Sequence, residues 1–336
     1  MTDRPIPRKP MPRDRGGSFK LSEGSGGILA MCPCEQFLEV YKVDTTFRIE
    51  TPETIDPART NPNAPFVYSV VERIGAGHPI VARVMLQGRE ILQAAIFNSP
   101  IDTNSVTNRL HAIKESLIAC YKASDHIVRH VTAAEARWQE PQGKTVIGHR
   151  AVPALPQVPD LEPMATQFLV NAKRAIGGIC GLVPLFLKVD RVDGNFDHLG
   201  DRVSALLGED AALTLFIRDH AEASRYLIDL RNAQEHPKAE LATIIQNVRI
   251  QPDGSPAAPM WFVTGSTPRP IHLEAPAAIE RMIEMAELML IFLVDQCLDP
   301  RWPFFIEEIP GPSRDPSQPI RFRLSVDGSR LRRESK

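Results

Sequence analysis

At 336 residues the chain exceeds the usual size of one domain, so two domains, or one with large additions, are expected. Hydrophobic residues at 43% and charged residues at 24% match soluble globular averages and leave ample apolar material for a core. The net charge of −2 is uneven: residues 1–20 hold six Lys/Arg against two Asp and residues 310–336 hold seven against three acids, so the body is left at about −10, which argues against a broad, sequence-blind nucleic-acid surface.

Residues 1–28 are rich in Pro, Gly and Arg and read as a disordered basic tail. The N-terminus has no apolar signal-like run, and no uninterrupted apolar stretch reaches membrane-spanning length, so a cytoplasmic protein without a membrane partner is expected. Cys32 and Cys34 form a "CPC" with no second Cys or His pair at zinc-finger spacing, and no metal or other cofactor is expected.

Residues 29–100 read as a small antiparallel β-rich domain. Strands are expected over 43–50, where Val43, Thr45, Phe47 and Ile49 alternate, over 66–74, and over 79–86, where Ile80, Ala82, Val84 and Leu86 alternate. "GREILQAAIF" (88–97) fits either a fourth strand or a short helix. From Asn104 the apolar period changes to three and four through Val106, Leu110, Ile113, Leu117 and Ile127, which marks a long amphipathic helix. A Pro-rich connector over 140–163 leads to a second helix over 164–188, with Gly177, Gly178 and Pro184 expected to bend it. Residues 189–201 read as a loop, and a third helix spans about 209–235.

Two β-like pieces, 241–250 and 260–265, form a hairpin inserted before a fourth helix over 275–298. Residues 301–336 are a Pro-rich basic tail in which Ile320, Phe322, Leu324 and Val326 alternate, so one strand there can return to a sheet. The expected fold class is therefore α+β: the N-terminal β domain followed, over 101–300, by a four-helix bundle with a β-hairpin insertion.

The third helix ends in "YLIDLRNAQEHPKAE". Arg231 continues the stripe of Leu227 as it turns polar, Asn232 lies one turn before His236, and Pro237 disfavours helical geometry at that His. An Arg and a His brought together suit chemistry on a phosphodiester, since guanidinium forks onto phosphate oxygens and imidazole moves protons near neutral pH. The same residues admit a plain reading: Arg231 can pair with Glu235 one turn on, and His236 can meet the last carbonyls of its helix.

"RNAQEH", at the end of a third bundle helix, resembles the signature of the HEPN superfamily of helical-bundle proteins, with Asn232 in the polar slot after the Arg. The likeness covers roughly residues 104–298. It implies a homodimer whose Arg/His pairs face each other and, in active members, metal-independent cleavage of RNA: the 2′-hydroxyl attacks the adjacent phosphate, His236 transfers protons and Arg231 steadies the transition state. Many such members are toxins or defence effectors, so a protein antidote or trigger is a further expected partner. Other members have lost catalysis and act as dimerising or binding modules for a protein or nucleotide.

The same spacing recurs at Arg73…His78 and Arg191…His198, both in Gly-containing turns without a preceding apolar helix. His126 and His130 lie four apart on a helix but lack an identifiable third metal ligand. "DRVDGNFDH" fails as a calcium loop because Val189 and Arg191 fall where oxygen ligands belong. "GAGHP" reads as a hairpin turn, and His220, on the inward stripe, as a satisfied core or interface histidine.

Overall fold

The computed structural model describes residues 11–15, 18, 20–34, 37–139, 155–190, 192, 194–238, 240–252 and 255–327. It mixes helices with antiparallel strands and divides into two compact units. The first runs to Gln93 and regains Glu307–Arg323; the second takes Ala94–Ile306 and the chain from Leu324.

In the first unit four antiparallel strands lie in chain order: β1 (Ala30–Pro33), β2 (Phe37–Tyr41), β3 (Thr46–Glu50) and β4 (Val67–Glu72). A one-turn helix, α1 (Pro52–Ile55), lies between β3 and β4. Val40 opposite Phe47 and Leu38 opposite Ile49 put one apolar face into a core with Leu21, Phe66 and Val70. Alternation places the polar pair Glu39 and Arg48 on the opposite face, joined at 3.3 Å. The turn between β2 and β3 is packed so closely that a Cβ on Gly75 would stand 2.2 Å from the Lys42 carbonyl oxygen; only glycine fits there.

Three features of this unit differ from the sequence expectation. Residues 11–15, assigned to the tail, contain a 3₁₀ turn (Pro12–Asp14), and the Arg13 side chain is wholly buried on Asp56 (2.6 Å) and the Asn61 carbonyl (3.2 Å). That plug is anchored by residues some forty positions away, which composition does not register. β1 and β2 precede the first expected strand. The third expected strand, 79–86, is instead a buried π-helical turn over Ile80–Leu86 that runs on into α2 (Gln87–Ala94). Of its seven residues only Arg83 is not apolar, so the apparent alternation is one reading of a continuous apolar run, which periodicity cannot assign. The Gln87 side-chain oxygen accepts from the Arg321 and Phe322 backbone N–H groups at 2.6 and 2.8 Å, fixing the returning C-terminal segment.

The second unit is built on α3 (Thr103–Gln139), α4 (Leu161–Cys180), α5 (Val183–Phe186), α6 (Phe196–Leu207) and α7 (Ala212–Glu235). There follow β5 (Thr243–Gln246), β6 (Arg249–Ile250), β7 (Pro256–Ala257), β8 (Met260–Val263), β9 (Arg269–Pro270) and α8 (Ile271–Cys297). The hairpin β10 (Phe304–Glu308) and β11 (Phe322–Val326) closes the described chain. α3 packs on α4 and α8, and both of those contact α7, so four long helices share one core of Leu, Ile, Met, Ala and Phe.

The expected second helix is interrupted, but not where its glycines lie. α4 runs unbroken through Gly177 and Gly178 and ends at Cys180, with Gly181 as its cap and Pro184 opening α5. Gly178 serves close packing instead, since a Cβ there would stand 2.7 Å from Ile113 of α3. The stretch Leu161–Phe186 is long and apolar enough to cross a membrane by length and composition, yet half of its most apolar window is buried within the protein and it carries Lys173 and Arg174. The expected loop 189–201 turns helical at Phe196, where the Asn195 side chain caps α6 by accepting the Asp197 N–H at 2.8 Å. The span 241–250 divides between two sheets, β5 joining β8 and β9 while β6 pairs with β7. The expected strand over 319–326 is β11, and its partner is β10.

Candidate functional site

The last turn of α7 is fixed from two sides. From α4, the Lys173 ammonium donates to the Asn232 side-chain oxygen at 2.7 Å, and the Gln234 amide donates to the Thr166 hydroxyl at 2.6 Å. From β5, the Thr243 hydroxyl donates to the Leu230 carbonyl at 2.5 Å. The helix stops where Pro237 follows: His236 is its cap residue, at φ −126°, and its N–H bonds the Asn232 carbonyl at 2.9 Å.

These restraints separate the three sequence-selected side chains into two places. Asn232 and His236 open on a groove of about 680 Å³. The groove is lined also by Tyr226 and Asp229 of α7, by Lys238 in the following turn, and by Val263 and Ser266 at the end of β8. The His236 side chain is 77% exposed, accessible to a substrate. Arg231 is not among the lining residues. Its side chain, 17% exposed, forms an ion pair with Glu235 one turn on, and the same Glu235 oxygen stands 3.7 Å from His236 Nε2. One carboxylate therefore lies between the cation and the imidazole, and Asn232 joins the groove to Lys173.

The electrostatics follow from this crowding. Partial burial pulls the Lys173 ammonium below the usual lysine range, and the Arg231 charge adds to the effect. Partial burial also holds the Asp229 carboxyl above its ordinary range, against the pull of Arg225. Tyr226, half-buried, is pushed up to about 12 by desolvation, while the Arg269 guanidinium 4.2 Å over its ring acts the other way.

Sequence reasoning missed Lys173, Tyr226, Lys238 and Ser266. Lys173 is 59 positions from Asn232, and only tertiary packing of α4 on α7 joins them. Ser266 arrives with the hairpin insertion, in which the sequence marks no site residue.

The remaining candidates lie elsewhere. Arg73 pairs with Glu23 on the surface, while His78 is half-buried, its Nδ1 facing the Ile80 N–H at 3.2 Å and its imidazole shifted down by burial. Arg191 lies outside the described residues. The His126 and His130 rings lie with centroids 4.1 Å apart, tilted by 33°, and His130 Nδ1 faces the His126 carbonyl at 2.8 Å. His220 Nδ1 faces the Phe216 carbonyl at 2.9 Å, one turn back on α7. Cys32, Cys120, Cys180 and Cys297 are buried and in no disulfide, Cys180 being pushed up to about 12 by burial.

Compared with known proteins, the chain matches no family model, no curated protein and no solved structure.

Proposed function

We propose that the chain is a HEPN-like, metal-independent endoribonuclease acting as a toxin or defence effector. The observation that carries this reading is the groove at the end of α7, into which Asn232 and His236 open, with Arg231 and Lys173 on its flank. An RNA strand in the groove would place a phosphate near these cations and a 2′-hydroxyl near the imidazole. The 2′-oxygen attacks phosphorus, the P–O5′ bond breaks, and His236 moves a proton at one of the two oxygens. Arg231 leaves Glu235 to fork onto the phosphate as charge develops, and Asn232 orients the group. A twin subunit in a homodimer supplies the second imidazole. No metal or cofactor is part of this scheme.

The neutralisation of Arg231 by Glu235, and its absence from the groove lining, favour a second reading: a dimeric binding module for a protein or nucleotide, without chemistry. Incubating RNA with the purified chain in EDTA, beside His236→Ala, separates the two on a denaturing gel. Cleavage by the wild type, lost by at least about 100-fold in the variant, is the expected result. Equal cleavage by both proteins, or none by either, removes the catalytic reading.

A further inference from the structure

At the junction of α4 and α7, Lys173 meets Asn232, the residue that follows Arg231, and each of the two cations already has an oxygen partner. Lys173 is held by the Asn232 amide oxygen at 2.7 Å, Arg231 by the Glu235 carboxylate. Holding two cations together in a partly dry place is unfavourable unless an anion lies close by; burial first, and the Arg231 charge second, hold the Lys173 ammonium below the usual lysine range. The anion present is one carboxylate from the last residue of the helix. It is 44% exposed, set only in an i,i+4 ion pair, and its other neighbour is His236 at 3.7 Å. Such an i,i+4 pair on a part-exposed helix end is weak, so a stronger ligand can displace it.

From this geometry we infer that Lys173, Arg231 and Asn232 form a receptor for a phosphate-class anion, and that Glu235 occupies it when no ligand is bound. Two cations are required. The site lies at the carbonyl end of α7, where the helix dipole opposes an anion by an amount comparable to what one exposed cation gains. Arg231 supplies the planar fork, and Lys173 a point charge from a second helix, so the ligand would bridge α4 and α7. Asn232, turned toward Lys173 and lining the groove, sets the anion at the groove's flank. The inference rests on the placement of these four side chains, and it stands whether or not RNA is cut.

Calorimetric titration with inorganic phosphate reads the site without RNA. Glu235→Gln removes the competing charge at an exposed helix end and keeps the helix. It is expected to bind phosphate at least tenfold more tightly than the wild type. Adding Lys173→Gln, which can still donate to Asn232 but is uncharged, is expected to abolish that gain, whereas Lys173→Arg keeps it. Repeating the titration of Glu235→Gln with AMP and with the dinucleotide ApA identifies the source: tighter binding of AMP points to a terminal phosphate, of ApA to a backbone phosphodiester. No gain in Glu235→Gln, or a gain that survives Lys173→Gln, overturns the inference. A gain in phosphate binding with no RNA cleavage would keep the receptor and discard the nuclease.

Discussion

Glu235 is the side chain on which both readings of the site turn. As the Arg231 partner it makes the end of α7 a plain polar helix terminus; as a displaceable anion it would hold Arg231 ready for phosphate. Tyr226 lines the groove, and its burial has a measurable consequence. A phenol raised from 10.0 to about 12 in the folded state keeps its proton over a range in which the unfolded chain has lost it. Stability contributed by Tyr226 is therefore intact below pH 10 and falls as the pH rises from about 10 to about 12. Tyr226→Phe lacks this loss. The difference in melting temperature between Tyr226→Phe and wild type should shift in favour of the variant between pH 8 and pH 11; a difference that stays constant would mean the phenol is not held as the structure has it.

At the scale of elements, the groove depends on how the β5–β8–β9 sheet seats against the helices. Trp261 of β8 is completely buried, its ring centroid 5.5 Å from that of Phe168 on α4. Trp261→Ala should cost about 3–5 kcal/mol in chemical denaturation, the usual penalty for emptying a large aromatic site. A cost below about 1 kcal/mol would show that the hairpin packs otherwise. The helical period made α3, α7 and α8 readable because each has one persistent apolar face. The π-helical turn at Ile80–Leu86 was not readable, since an unbroken apolar run fits strand and helix alike. The Arg231–Glu235 pair was legible because a helix brings positions i and i+4 together. Lys173 was not, because no local period connects it to Asn232 across 59 residues.

At the scale of the molecule, two compact units lie along one chain, the first completed by residues 307–323 returning from the far end. The sequence marked a change from β-rich to helical near residue 100 and a strand over 319–326 able to return to a sheet, but not its anchor, Gln87 meeting the backbone of Arg321 and Phe322 more than 230 positions away. With a body near −10, the proposed nuclease would have to attract RNA through a few local cations rather than a broad basic face. Lys173, Arg231 and Lys238 lie at one helix end and would supply those cations. The chemistry of the cut ends tests the nuclease reading most directly. Phosphorus NMR of RNA digested in EDTA should show 2′,3′-cyclic phosphate with wild type and none with His236→Ala. Ends bearing 5′-phosphate, cyclic phosphate that persists in the variant, or intact RNA in both would contradict it.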